Sequence, residues 1–256
     1  MPRFFVRQNQ IADETVTLLG EDAHHVARSL RMAVGDELFV CDMQGNEYRC
    51  QIEAFFDDRE VTAHILSVKP SENEPRCRIC LYQALPKGDK FDTIIQKAVE
   101  CGVTEIIPFQ SERCIARMKP ESEERKKERR QRIAEEAAKQ CGRSVIPEVH
   151  STVDFSEMLS LATRNAICLF CYEGDGTQPL GRVMREVVIP DASGGFPNIS
   201  VIIGSEGGFS LKEAQCAVEN GMIPVGLGKR ILRTETASGF VLACLVCATE
   251  LDDQRF

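Results

Sequence analysis

A seven-residue polar stretch with two prolines, Lys69-Pro70-Ser71-Glu72-Asn73-Glu74-Pro75, divides this chain into parts that cannot share one folding pattern. Proline fixes φ and offers no backbone donor, so two of them among polar residues favour an extended connection between domains. Before the stretch, apolar residues recur in short alternating runs. Residues 36–42 and 47–56 flank Met43-Gln44-Gly45-Asn46, which has hairpin-turn composition. Asp57-Asp58-Arg59 leads into another strand over residues 61–68, and only residues 21–32 read as helix. The pattern predicts a small β-barrel-like domain over residues 1–72.

After the prolines the period changes. Strand-like runs fall at residues 77–85, 103–109, 166–172, 199–203 and 223–227. Between them, Ile94, Ile95, Ala98 and Cys101 have helical spacing and are followed by Gly102. Ala134, Ala137, Ala138 and Cys141 form a second stripe, stopped by Gly142. Further helices are predicted over 121–141 and 211–220 and from about residue 235 onward. Alternation of this kind defines an α/β domain with a mostly parallel sheet over residues 73–256, which ordinary connection rules would wind without a knot.

Composition narrows the class. Hydrophobic residues at 43% and charged residues at 27% of 256 are those of a globular protein, which excludes disorder and collagen-like architectures. The opening MPRFFVRQNQ has no apolar stretch, and the apolar run at 239–248 is about half the length needed to span a bilayer. These features lead us to expect a cytoplasmic protein with no membrane segment. Twelve cysteines include three CxxC pairs, Cys77/Cys80, Cys168/Cys171 and Cys244/Cys247. The first two lie in strand-like runs, where residues three apart point to opposite faces, and the third lies in an apolar helical run. They are expected to be buried thiols, with no metal. No HExxH and no GxSxG occurs, so metalloprotease and serine-hydrolase chemistry lack their motifs.

The net charge of −8 excludes a surface that is basic throughout. Residues 1–72 hold 7 basic against 13 acidic side chains and the rest hold 24 against 26, so any nucleic-acid contact must use a local patch. The one dense basic run, Arg125 to Arg132, also fits a solvated helix face, because Glu123/Lys127 and Glu128/Arg132 have pairing spacing.

Two loops concentrate the chemistry. In open α/β sheets ligands bind at the carboxyl ends of strands. Ile203-Gly204-Ser205-Glu206-Gly207-Gly208-Phe209-Ser210 leaves a strand and enters a helix through a capping box of Ser210 and Glu213. Its glycines allow close approach of a ligand to backbone N–H groups, although a simple turn would also use them. Leu227-Gly228-Lys229-Arg230-Ile231-Leu232-Arg233-Thr234-Glu235-Thr236 packs polar and charged groups between an apolar strand and an apolar helix. Thr234 could cap that helix and Glu235 complement its dipole, which accounts for two of these residues.

Taken in order, these loops resemble the bacterial 16S ribosomal RNA (uracil-N3)-methyltransferases, the RsmE family of the SPOUT superfamily. The likeness extends to PRFFV, His24-His25-Val26-Ala27-Arg28-Ser29-Leu30-Arg31, Lys87-Gly88-Asp89-Lys90, residues 96–103 and Gln140-Cys141-Gly142-Arg143. Ser205 stands where the family usually has proline. The resemblance implies a PUA-like barrel for RNA, then a SPOUT domain with a trefoil knot. It also implies a homodimer and S-adenosylmethionine as methyl donor, with N3 of a uridine in the 30S subunit as acceptor.

It further implies that backbone groups around Gly204, Glu206, Gly207, Leu227, Gly228, Ile231, Leu232 and Thr234 hold the cofactor. Arg233, Glu206 and Glu235 are the charged groups expected at the reacting end. A donor near a uracil carbonyl would stabilise the developing anion, and a carboxylate could take the proton. RNA contact is expected from Arg3, Arg7, Arg28, Arg31 and Arg143, with part of the Arg125–Arg132 helix. N3 lies on the pairing edge, so the base must be unpaired or flipped out. A ribose 2′-O-methyltransferase of the same fold, and a non-catalytic ribosome-assembly factor, are the alternatives.

Overall fold

The computed structural model describes residues 1–56, 59–118 and 120–251; the Asp57-Asp58 part of the expected connection lies outside them. They divide into two compact units, residues 1–74 with 138–146, and residues 75–137 with 147–251.

The first unit contains β1 (Arg3–Phe5), β2 (Ile11–Ala12), β3 (Thr15–Leu19), α1 (Gly20–His24), β4 (Glu37–Cys41), β5 (Asn46–Phe56) and β6 (Glu60–Pro70). Its sheet runs β1-β4-β5-β6-β3-β2, antiparallel except for the β1–β4 pair. Val16, Leu18, Leu38, Val40, Cys50, Ile52 and Val61 alternate onto one buried face. The β4–β5 turn forms because Asp42 accepts hydrogen bonds from the backbone N–H groups of Gln44 (2.8 Å) and Asn46 (3.1 Å). Met43 and Gly45 in that turn both have positive φ.

Two expectations change here. The helix over 21–32 is short: α1 passes at His25 into a π-helical turn ending at Ser29, and Arg31 adopts φ +52°. The cause is the wider ring closed by Leu30 N–H on the His25 carbonyl at 2.9 Å. The segment read as a linker is also tied down. β6 continues to Pro70, and Glu74 accepts from Arg143 Nη2 (2.7 Å), Ser144 N (2.7 Å) and Val145 N (3.1 Å).

The second unit contains β7 (Ile79–Ala84), α2 (Lys90–Glu100), β8 (Glu105–Gln110), α3 (Pro120–Cys141), β9 (Glu148–Val149), β10 (Val153–Asp154), α4 (Phe155–Ala162) and β11 (Ile167–Cys171). It continues with β12 (Gln178–Pro179), α5 (Leu180–Glu186), β13 (Ile199–Ile203), α6 (Leu211–Glu219), β14 (Ile223–Gly226) and α7 (Thr234–Val246). Residues 138–141 at the end of α3 belong with the first unit. The sheet order is β10-β8-β7-β13-β11-β14-β12, with β9 also on β8, and every pairing is parallel. β7 and β13 are buried along their whole length, as central strands of a parallel sheet must be. The short elements β9, β10, α4, β12 and α5 were not foreseen.

The basic run on α3 is partly interior. Arg130 is buried, 4.7 Å over the Phe91 ring, and bonds Glu123 at 3.3 Å and Thr152 at 3.2 Å. Arg129 pairs with Asp92. The expected Glu123–Lys127 and Glu128–Arg132 pairs do not form among the described residues. All twelve cysteines are free thiols. α7 and the turn after it make one apolar helical stretch over Thr234–Leu251, longer than the ten residues expected. By length and composition it could cross a membrane, yet Val241, Leu242 and Leu245 are wholly buried in this unit.

Candidate functional site

β13 and β14 both end at one side of the sheet, and the loops that follow them line a cavity of about 740 Å³. That volume suits an organic ligand of cofactor size. The first loop is anchored by Phe209, whose ring lies 4.3 Å from Phe170 and stacks on Phe109 at 6.3 Å. Gly204 is required by this packing, since a Cβ there would meet Phe209 Cε2 at 3.1 Å and Gly208 Cα at 3.3 Å. A Cβ on Gly207 would meet Arg113 Cβ at 3.0 Å and the Arg113 carbonyl at 3.1 Å. The Ser205 carbonyl accepts from Gly208 N–H at 2.9 Å, and Ser205 Oγ is buried with no hydrogen-bond partner among the described residues.

The second loop is fastened to the first by Thr234. Its Oγ1 donates to the Gly204 carbonyl at 2.7 Å and accepts from Gln83 Nε2 at 2.9 Å. This corrects the expected capping role. Arg233 is the N-cap residue of α7 and makes no side-chain cap bond, while the Thr234 hydroxyl is committed to Gly204 and Gln83. Gln83, fully buried on β7, was not singled out in the sequence; 121 and 151 residues separate it from these partners. Ser210 and Glu213 form the expected capping box on α6, and Glu213 also accepts from Glu112 N–H at 2.8 Å.

The charged groups meet at Lys90, the first residue of α2, which the sequence shows only as part of a family motif with no role attached. Its Nζ lies 2.8 Å from Glu206 Oε1 and 3.5 Å from Glu235 Oε2. Burial alone would raise the Glu206 pKa. The Lys90 ammonium and backbone N–H donors outweigh it and hold the carboxyl below the ordinary glutamate range. Conversely, Glu206 raises the Lys90 ammonium pKa. Glu235 does not line the cavity, and its Oε2 is buried without a hydrogen bond. The approach to Lys90 is therefore an ion pair without hydrogen-bond geometry. Arg233 is exposed at the cavity.

Gly204, Glu206, Gly207, Leu227, Gly228, Ile231, Leu232, Arg233 and Thr234 thus share one cavity. The unpartnered Ser205 hydroxyl and the polar backbone of both loops in the cavity lining fit a polar ligand held against backbone. Among the described residues no group of three His, Cys, Asp or Glu side chains could hold a metal.

The arginines expected to face RNA divide. Arg7, Arg28 and Arg31 are exposed. Arg3 is held inside the first unit by Glu47 (2.5 Å), Cys41 Sγ (3.0 Å) and the Phe39 ring (5.4 Å). Arg143 is buried against Glu74. Both guanidiniums are committed to packing, a different placement from the surface one expected.

Residues 72–246 match the family model described as an RNA methyltransferase domain, and residues 18–66 match that of an RNA methyltransferase PUA domain. Ribosomal RNA small subunit methyltransferase E of Bacillus subtilis is 31% identical over 98% of each chain. Its Synechocystis counterpart is 34% identical over 94% of this chain and 76% of its own. Among solved structures, the Neisseria gonorrhoeae ribosomal RNA small subunit methyltransferase E bound to S-adenosyl methionine has a TM-score of 0.81 at 31% identity. It covers 96% of this chain and 97% of its own. A putative Legionella pneumophila methyltransferase in complex with S-adenosylmethionine has a TM-score of 0.83 at 30% identity, over 96% and 97%. A PUA unit followed by a parallel-sheet methyltransferase unit is the layout of an RNA methyltransferase. This chain belongs to the ribosomal RNA small subunit methyltransferase E family of SPOUT-type proteins.

Proposed function

We propose that this protein transfers a methyl group from S-adenosylmethionine to N3 of a uridine in 16S ribosomal RNA of the 30S subunit. The observation that carries this is the Thr234–Gly204 bond, which gathers both glycine-bearing loops around one cavity. S-adenosylmethionine supplies an already activated methyl group, so the protein has mainly to align donor and acceptor. The backbone around Gly204, Gly207, Leu227, Gly228, Ile231 and Leu232 holds the cofactor, with Thr234 fixing the loops and Glu206 lining the site.

Arg233 faces the cavity with no hydrogen bond or ion pair to its side chain among the described residues, which suits stabilisation of charge developing on a uracil carbonyl. Glu206, held ionised by Lys90, is a hydrogen-bond acceptor in the cavity, and Glu235 steadies Lys90 from behind. Of the two carboxylates only Glu206 lines the cavity, and it is the one placed to receive the imide proton. Arg7, Arg28 and Arg31 contact RNA, while Arg3 and Arg143 brace the first unit from within.

The trefoil knot implied by the resemblance draws support from α7. β11 separates β14 from β13, yet α7 starts at the Gly204 carbonyl and packs on α2. A homodimer would cover the outward face of α7, where Phe240, Ala243 and Cys247 are exposed at helical spacing. Action on ribosomal RNA places the protein in the cytoplasm. The test is transfer from labelled S-adenosylmethionine to undermethylated 30S subunits, with the product nucleoside identified by mass spectrometry. N3-methyluridine is expected; a 2′-O-methyl product or no transfer overturns the reading.

A further inference from the structure

The cavity mouth differs in charge from the rest of the chain. Setting aside the paired Lys90 and Glu206, the charged residues that line it are Arg113, Lys229, Arg230, Arg233 and Glu173. Four cations face one carboxylate, in a protein whose net charge is −8. Lys229 and Arg230 are exposed, and neither side chain makes a hydrogen bond or ion pair among the described residues. Arg113 spends one donor on the Gly207 carbonyl at 3.2 Å, leaving other guanidinium N–H groups to face outward.

The same rim carries exposed apolar side chains. Ile231 is 81% exposed and Leu211 77% exposed, the two largest values among the exposed large hydrophobics, and both line the cavity. Cations without partners beside apolar surface at a cavity mouth suit a strand whose phosphates stay in solvent while a base enters.

We propose that Lys229 and Arg230, with Arg113 opposite, form a phosphate-binding rim that grips the RNA backbone on either side of the nucleotide entering the cavity. This rests on the methyltransferase reading for the identity of the RNA, and it adds a contact surface in the second unit to the arginines of the first. Electrostatic contact with phosphates releases counterions, so its signature is the salt dependence of binding.

The experiment measures binding of small-subunit ribosomal RNA to the full chain by fluorescence anisotropy over a salt series. Wild type, Lys229→Gln, Arg230→Gln, the double variant and Arg164→Gln are compared. Arg164 is exposed and lies before β11, at the opposite end of the strands. Each lost phosphate contact lowers the slope of log K against log salt by about 0.7–0.9, so the double variant is expected to lose about 1.4–1.8. The Arg164 variant should retain the wild-type slope, and S-adenosylmethionine affinity should be unchanged in all of them. An unaltered slope in the double variant overturns the proposal. So does a parallel loss of cofactor affinity, which would assign these residues to the cofactor, or a change of sedimentation, which would assign them to a subunit contact. If wild type binds RNA with the rim-dependent slope but transfers no methyl group, the rim stands and the methyltransferase reading fails.

Discussion

The hydroxyl of Thr234 donates to the carbonyl of Gly204 at 2.7 Å, joining two loops that are thirty positions apart in the chain. Gln83 Nε2 donates to the same hydroxyl from β7 at 2.9 Å. Replacing Thr234 by Val removes the close donor to the part-buried Gly204 carbonyl and one of the acceptors of the buried Gln83 amide, which keeps the Ala84 carbonyl at 3.0 Å; losing a partner in this way costs about 1–3 kcal/mol. Thr234→Val should therefore weaken S-adenosylmethionine binding tenfold or more in calorimetric titration, a tenfold change being about 1.4 kcal/mol. Thr234→Ser keeps the hydroxyl and should stay within a few-fold of wild type.

Gly207 tests the close approach of the first loop to Arg113. A methyl group there would sit 3.0 Å from Arg113 Cβ and 3.1 Å from its carbonyl oxygen, and the backbone cannot swing aside as a side-chain tip can. Overpacking of this kind costs about 1–3 kcal/mol. Gly207→Ala should lower the melting temperature modestly and reduce cofactor affinity more than a change at exposed Gly194, whose Cβ direction is open but whose φ is +83°.

The Lys90–Glu206 pair predicts a pH dependence. Glu206 has a folded pKa below its ordinary value, because donation from Lys90 and backbone outweighs burial. A depressed carboxyl contributes stability that is complete above the ordinary glutamate range and is lost as pH falls through the lowered folded value. Lys90→Met removes the ammonium, so the Glu206 titration followed by carbon NMR should move to higher pH. An unmoved midpoint would show that the backbone donors alone hold it.

Thiol reactivity reports on packing. Burial pushes the Cys50 thiol up to about 12 and Cys77 up to about 11, the latter despite a hydrogen bond with Thr249. At pH 8 both should resist alkylation in the native protein and react after unfolding, because the thiolate is the nucleophile. Cys247, exposed beyond α7, should react first in the monomer. Protection of Cys247 as protein concentration rises would support a homodimer through this face; concentration-independent labelling would contradict it.

What the sequence made legible depended on how far apart the interacting residues lie. The α2 stripe of Ile94, Ile95 and Ala98 and the continuous apolar run Ile199–Ile203 carry their own period or length, and both fold as expected. The two-residue strands β9, β10 and β12 have no period to detect; they exist because neighbouring strands supply partners. The glycine loops were visible as contiguous motifs. The part played at the site by Gln83, Lys90 and Arg113 was not, since each reaches it from an element 94 to 151 positions away. Arg3 and Arg143 are held inside by Glu47 and Glu74, carboxylates 44 and 69 positions away, which no local pattern links to them.

Methylation of N3 blocks the pairing edge of uridine, whereas methylation of the ribose leaves it open. Primer extension along small-subunit RNA from undermethylated 30S particles, incubated with the protein and with or without S-adenosylmethionine, therefore tests the central claim directly. One new cofactor-dependent stop at a uridine is the predicted result. Methyl incorporation without any such stop would contradict it.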